Sequence, residues 1–280
     1  WKIELTQNSL SIPTGLQPGN SIDASAPGRF YFGIDRALQG GFEQLTFNAE
    51  NAVSFKGDVT IPAAQALRAL TINAPVIESA GGHVALAANY VNLGNQSIDT
   101  IRQTAQTASG GSGELEVSAR HVDLTGHFAL QGFKSAKIDS DGDVRLVGIV
   151  KTPPNDDEGV VTKTKPPEGS FKVQGDLQVH ARQVVATTLS QYTLDVSNLA
   201  RFTRHDTPSP VLSAGSEITV KAKTIALEGA PTAPLPGGAL KAPLGSITLA
   251  ADDITLGEGS IISVSGENQL IPFGGTDKTG

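Results

Sequence analysis

Apolar and polar residues along this chain follow a pattern of about fourteen positions that recurs five times. In each copy, apolar side chains stand at offsets 2 and 4 from the first residue, alanine stands at offset 6, and apolar side chains stand again at offsets 9 and 11. In one copy the residue at offset 11 is the small Ala186. Weaker copies surround Leu45 and Leu70, and a partial copy covers Gly142–Gly148. The five complete copies begin at Gly82, Gly113, Gly175, Ser216 and Gly245.

This pattern predicts pairs of short β-strands joined by a bend. A spacing of two places alternate side chains on one face of a strand, so each apolar set forms one buried face. Because the spacing between offsets 6 and 9 is three, the phase breaks once, and we expect the chain to turn a corner there. Alanine is small enough for such a corner, and glycine permits the backbone angles that the ends of the copies need.

Successive copies are expected to stack and share one core. A single copy cannot bury its apolar face, whereas copies stacked about 4.8 Å apart align their valine, isoleucine and leucine side chains into a continuous interior. The sequence therefore predicts an all-β chain, folded as a parallel β-helix (solenoid) with loop excursions. A β-sandwich or jelly roll also has short strands and frequent turns, but the repeated phase pattern and an aromatic share of only 5% favour the solenoid.

Irregular stretches divide the chain around this repeat. We expect irregular N-terminal coils over residues 1–40, the solenoid over 41–265 and a frayed segment over 266–280. Ala63–Leu70 is the one plausible short helix, with a turn excursion as the alternative. Polar, proline-rich or glycine-rich stretches between the copies predict loops that leave the stack. The predicted loops span residues 99–112, 151–170, 203–215 and 229–245.

Composition excludes several classes of function. The 280 residues include no cysteine, which excludes disulfide scaffolds, thiol nucleophiles and cysteine-ligated metal centres. A formal net charge of −7 argues against a nucleic-acid-binding surface, and no apolar run is long enough for a transmembrane helix. No signal peptide is recognisable. The chain also contains no methionine, so we expect it to be a piece of a longer protein.

The copies that begin at Ser216 and Gly245 resemble the coils of filamentous haemagglutinin-type exoproteins, and the resemblance covers roughly residues 40–265. Members of this family are very large bacterial proteins, secreted or held at the cell surface, which are exported by two-partner secretion and built as long right-handed β-helices. The resemblance implies a right-handed parallel β-helix, an outer-membrane transporter as a partner during export, and secreted or cell-surface localisation. The sequence has no Asn-Pro step and no Arg-Gly-Asp tripeptide, so neither the family's secretion-domain role nor that adhesion motif is assigned.

The expected function is that of a non-catalytic structural and adhesive rod segment, which mediates cell adhesion or displays effector regions. Its partner would be a host or bacterial cell-surface receptor or glycan, and exposed end coils predict end-to-end self-association. The absence of cysteine fits export, because disulfides formed in the periplasm would block passage through a pore. An autotransporter passenger with the same fold is a further interpretation. The alternative function is a β-helix polysaccharide lyase or hydrolase that acts on an acidic glycan.

One acidic strand carries the candidate chemistry. Asp139, Asp141 and Asp143 occupy alternate positions and Arg145 follows them, so we expect Asp143 and Arg145 to point outward with Asp141 close by. Ca²⁺ prefers several oxygen ligands, so these three carboxylates are a calcium candidate, and a plain polar turn is the alternative. No other cofactor is predicted. A single acidic strand does not supply the paired carboxylates of a hydrolase, so no catalytic residue is assigned.

Other residues with useful chemistry form no recognisable motif. The five histidines are scattered without metal-ligand spacing, and at most His121 and His127 approach each other across a corner. Glycan binding by stacking needs exposed aromatic rings, and Tyr31, Tyr90 and Tyr192 are too dispersed to predict a groove.

Overall fold

A computed structural model of the chain describes residues 1–11, 28–63, 67–98, 103–150, 165–229 and 235–266. Within these ranges the fold is mostly β, as the alternation of apolar and polar residues predicts. No helix in the described part of the chain is long and apolar enough to cross a membrane. The elements are β1 (Lys2–Thr6), a 3₁₀ turn (Ser9–Ser11), β2 (Arg29–Gly33), α1 (Ile34–Gln39), β3 (Gln44–Asn48), β4 (Ala52–Phe55), β5 (Val59–Ile61), β6 (Leu67–Asn73), β7 (Val76–Ser79), β8 (His83–Gly94), β9 (Ser109–Thr125), β10 (His127–Val147), β11 (Glu168–Val173), β12 (Asp176–Ala186), β13 (Gln191–Val196), β14 (Leu199–Thr203), β15 (Glu217–Lys221), β16 (Thr224–Leu227), β17 (Ala239–Lys241), β18 (Ser246–Ala250), β19 (Asp253–Leu256) and β20 (Ile261–Ser263).

The pairings between these strands are parallel, and together they form a curled sheet with three rows of strands. Row A contains β2, β1, β4, β7, the start of β10, β11, β13, β15 and β18. Row B contains β5, the first part of β8 and of β9, the middle of β10, the first part of β12, β14, β16 and β19. Row C contains β3, β6, the last parts of β8, β9, β10 and β12, then β17 and β20. From β4 onward the chain visits the rows in the order A, B, C, and one such passage is called a circuit below.

The register of the strands aligns the inward positions of successive copies. Val91 lies beside Val122 in row C, and Val122 lies beside Val144. All three side chains are buried, together with the rest of a core that runs through every circuit. Val91 and Val122 stand at offset 9 of their copies, so the buried face that the repeat predicts is confirmed. The complete column is Leu45, Leu70, Val91, Val122, Val144, Val184, Leu240 and Ile262.

The predicted corner is also present. Strand β8 pairs with β5 as far as Leu86 and with β6 from Ala88, so the chain leaves row B and enters row C where the spacing changes from two to three. The copy that begins at Ser216 turns a different corner, because Ile218 lies in row A and Ile225 in row B. The pattern therefore marks a corner without specifying which of the three corners it is.

Two predicted loops lie where a row receives no strand. In row A, β7 pairs directly with β10, so the described residues of the circuit that contains β9 add no strand there. Residues 99–102 of the predicted loop lie outside the described ranges. In row C, β12 pairs directly with β17, and residues 204–216 take the place of a strand. The loop predicted over 203–215 matches this segment, whereas the loop predicted over 99–112 ends earlier because β9 begins at Ser109.

Other boundaries differ from the sequence expectations. The helix predicted over Ala63–Leu70 is wrong for its second half, since Leu67–Leu70 begin β6 with both leucines buried, and residues 64–66 lie outside the described ranges. The loop predicted over 229–245 contains β17, and the loop predicted over 151–170 ends in β11, with 151–164 outside the described ranges. Residues 1–40, expected to be irregular, contain β1, β2 and α1, because their buried apolar side chains extend the core.

The last circuit leaves apolar positions uncovered by any described residue. Ile254 lies beside the buried Ile225, and Leu256 lies beside the buried Leu227, yet these two side chains are 47% and 56% exposed. The end-to-end association expected from exposed end coils stays a prediction.

Candidate functional site

The three aspartates proposed for calcium lie on both sides of a corner. Asp139 belongs to row B, where it lies beside His180. Asp143 belongs to row C, where it lies beside Gln183, and the register between β10 and β12 shifts between Ser140 and Asp143. Asp141 stands at this shift, is exposed, and lines the same shallow depression as Arg120. The corner therefore separates side chains that are close together in the sequence.

Asp143 and Arg145 also bind different partners. The Oδ2 atom of Asp143 accepts a hydrogen bond of 3.0 Å from Nε2 of Gln183, which is itself buried. Arg145 points outward as expected, but it binds Asp123 of the neighbouring strand. Among the described residues, no group of three or more histidine or carboxylate side chains is arranged to hold a metal ion. Calcium binding by Asp139, Asp141 and Asp143 stays an untested prediction.

A polar network that the sequence did not predict centres on Asp123, on the outer face of row C. Asn92, Asp123 and Arg145 are neighbours on three consecutive strands, so parallel stacking brings them together. Arg145 donates to both carboxylate oxygens of Asp123, through Nε at 2.7 Å and Nη2 at 2.6 Å. Tyr90 donates to Oδ2 of Asp123 at 2.8 Å, and Asn92 donates to the hydroxyl oxygen of Tyr90 at 3.3 Å. Asp123 is 5% exposed, so this carboxylate is held by its partners rather than by water.

This network perturbs the titration of its members. Partial burial and the hydrogen bond to the Asp123 carboxylate raise the pKa of Tyr90 to about 12. The same carboxylate raises the pKa of the Arg145 guanidinium by accepting its hydrogen bonds. Both shifts favour the protonated forms present at neutral pH, so the network stabilises the outer face of row C.

We expect an alkaline titration to detect this network. Burial also raises the pKa of Tyr192 well above its ordinary value, so two tyrosines should ionise late. Phenolate absorbance should show Tyr90 ionising near pH 12, and Asp123→Asn should move this transition toward the ordinary value of 10. Because folding raises the pKa of Tyr90, its contribution to stability is complete below pH 10 and is lost as the pH rises through about 12. Tyr90→Phe is the control, since it must remove the late absorbance change of one tyrosine and leave that of Tyr192. A late absorbance change of undiminished size in this variant contradicts the assignment.

A polar groove of about 410 Å³ crosses the outer face of row A. Two columns of side chains from successive strands line it, because the outward positions of β11, β13 and β15 are in register. Hydroxyl groups occupy one column and charged groups of alternating sign occupy the other. These columns are Ser170, Thr193 and Thr219, and Lys172, Asp195 and Lys221.

One end of this polar groove holds a serine, a histidine and a glutamate. His127 lies beside Ser170, with Nδ1 of the imidazole 2.9 Å from the Ser170 hydroxyl. Its Nε2 atom lies 4.0 Å from Oε2 of Glu168. A hydroxyl, an imidazole and a carboxylate in this order are the groups used for nucleophilic hydrolysis. His127 and Ser170 are 43 positions apart, so only the stacking of β11 on β10 brings them together.

Two further histidines form a pair, one in β12 and the other in the segment of residues 204–216. The rings of His180 and His205 lie with their centroids 5.0 Å apart, and Nε2 of His205 lies 2.7 Å from the carbonyl oxygen of Ser140. Burial lowers the pKa of His180, the neighbouring Asp139 carboxylate opposes that shift, and His205 adds to it. His121 and His127 do not form such a pair, since His121 lies against Gly142 and His127 against Ser170.

Comparison of this chain with protein-family models, with curated proteins and with solved structures finds no match.

Proposed function

We propose that this chain is a structural and adhesive rod segment of a large exported bacterial protein of the filamentous haemagglutinin type, folded as a right-handed parallel β-helix. The column of inward residues in row C, from Leu45 to Ile262, is the observation that carries the proposal. Successive circuits add strands to the rows and extend the same core in one direction. A stack of this kind has no built-in limit to its length.

The physical properties of such a stack suit reach and display. Each circuit contacts only its neighbours, and parallel strands spaced about 4.8 Å apart make the stack stiff along its length. Segments such as residues 204–216 leave the rows without interrupting the core, so partner-binding surfaces can vary while the rod is preserved. A chain without cysteine avoids periplasmic disulfides during export through an outer-membrane transporter, and the proposed localisation is the cell surface or the exterior.

A second candidate function is hydrolysis of ester-linked acyl groups on an acidic glycan, favoured by the contact between His127 and Ser170 at the end of the polar groove. In this role Ser170 would attack the acyl carbonyl and form an acyl-enzyme, while His127 takes the hydroxyl proton and returns it to the leaving sugar hydroxyl. Water, activated by His127, would then release the acid and restore Ser170, and Glu168 would orient the imidazole. The polar groove would hold the substrate along the stacked strands.

A paired assay separates the two functions. Beads coated with the purified chain should adhere to cultured cells, while acidic polysaccharides incubated with the chain, with and without calcium, should keep their length and their acyl groups. Ser170→Ala should leave adhesion unchanged, as should Ser118→Ala, which alters an exposed serine in row B. Release of acyl groups by the chain, lost in Ser170→Ala but not in Ser118→Ala, would establish the hydrolase and overturn the rod proposal. Shortening of a polysaccharide would overturn it as well.

A further inference from the structure

Two stacked aromatic rings stand on the surface where β1 and β2 begin. The centroids of Trp1 and Phe30 are 5.5 Å apart, with 27° between the ring planes. Their side chains remain 53% and 48% exposed, although burial of such rings is strongly favourable. Together with Asn48, Glu50 and Asn73 they line a groove of about 440 Å³, called the aromatic groove below.

The fold assembles the aromatic groove from distant parts of the chain. Parallel pairing of β1 with β2 places Ile3 beside Phe30, which brings the Trp1 ring against the Phe30 ring. On the opposite side, β3 pairs with β6 so that Asn48 lies beside Asn73, and Nδ2 of Asn73 donates to Oδ1 of Asn48 at 3.0 Å. The register of row C therefore presents one amide per circuit next to the aromatic pair.

The amide groups of Asn48 and Asn73 are held in place, and that of Asn48 can still donate hydrogen bonds. Oδ1 of Asn73 accepts a hydrogen bond of 2.7 Å from the backbone N–H of Gln96, which fixes the orientation of that amide. The Nδ2 group of Asn48 donates to no described residue, so its two hydrogens face the aromatic groove or solvent. A positioned amide beside an exposed aromatic face offers directional hydrogen bonds and a flat apolar surface at the same place.

We propose that the aromatic groove binds a neutral glycan. A hexose has an apolar C–H face that stacks on an aromatic ring, and a rim of hydroxyl groups that exchange hydrogen bonds with amides and carboxylates. No lysine or arginine side chain is among the described lining residues of the groove, which disfavours sulfated or sialylated glycans. This inference rests on the proposed adhesive function and names the class of receptor for it.

The single tryptophan of the chain makes this binding directly measurable, because Trp1 lies in the aromatic groove and no other tryptophan contributes emission. Titration of the full chain with neutral oligosaccharides should shift this emission and shield it from acrylamide. Phe30→Ala and Asn48→Ala keep the reporter and should each weaken binding about tenfold or more, since each removes one of the two kinds of contact. Phe42→Ala removes a phenylalanine that is 55% exposed and does not line the aromatic groove, so its affinity should match that of the original chain.

Specificity is tested by probing an array of neutral, sialylated and sulfated glycans with the bead-bound chain. Trp1→Ala should abolish the signal from neutral glycans. Unfolding midpoints show that the variants are folded, which we expect because both rings are half exposed. The inference is overturned by no binding to neutral glycans, by a preference for anionic ones, or by binding that Trp1→Ala and Phe30→Ala leave unchanged. If the original chain adheres to cells but binds no neutral glycan, this inference alone is refuted. If the original chain does not adhere to cells, the proposed function is refuted.

Discussion

Replacement of Phe171 by alanine should lower the free energy of unfolding by about 3–5 kcal/mol. Phe171 lies beside Phe128 in the next strand of row A, and the two rings stack with centroids 4.6 Å apart and planes 16° apart. Both side chains are completely buried. The alanine variant loses the transfer free energy of the ring and the ring–ring contact, and rows B and C prevent the surrounding strands from closing the cavity.

Urea unfolding followed by circular dichroism measures this effect. Phe42→Ala is the matched control, because it removes the same atoms from a side chain that is 55% exposed, and its cost should stay within about 0.5 kcal/mol. Equal losses in the two variants would mean that the stacked pair does not lie in a packed core, and the parallel register of β10 with β11 would have to be revised.

Gly126→Ala should cost about 3 kcal/mol, through backbone strain together with a steric collision. Gly126 has a φ of +61°, in the left-handed region where side chains other than glycine are strained. An added Cβ would also collide with the carbonyl oxygen of Asn95 in the adjacent circuit. The glycine cannot move away, because its N–H donates to Val147 at 2.9 Å and its carbonyl accepts from Ser170 at 3.0 Å.

Gly57→Ala separates the two causes. Gly57 has a similar φ of +72°, but an added Cβ meets nothing within 4 Å, so only the conformational strain of about 1 kcal/mol applies. The difference between the two unfolding free energies therefore measures the close approach of neighbouring circuits at Gly126. If the two substitutions cost the same, the circuits do not approach as closely as the structure places them.

The interior of the fold was largely predictable from the chain. Val84, Leu86, Val91 and Leu93 were predicted to be buried from their spacing alone, and all are. One change of spacing, after Ala88, predicts a bend, and the strand changes its partner next to that residue. These predictions succeed because burial on one face of a strand imposes a local period of two that the residues themselves record.

The third strand of each circuit was harder to predict. Strands such as β7 and β13 lie outside the fourteen-residue copies, and they are only a few residues long. Short strands have too few alternating positions to show a period of two in the sequence. The positions of Val76 and Leu194 in the fold are therefore known only from their pairing with neighbouring circuits.

Candidate sites were the least predictable part. Asp139, Asp141 and Asp143 share a short stretch of sequence, yet a corner divides them between rows B and C. The contact of His127 with Ser170 and the stacking of Trp1 on Phe30 join residues from different strands. No local sequence pattern predicts such pairs, because they depend on which circuits become neighbours.

The sequence by itself determined which side chains face the core, where the chain bends and which chemistries a cysteine-free acidic chain excludes. Only the tertiary structure decided which corner each copy occupies, where rows A and C omit a strand, and which outward residues meet. The physical reason is that burial is a property of each residue in its own strand, whereas neighbours on the outer face are set by the lengths of connecting segments that carry no hydrophobic period.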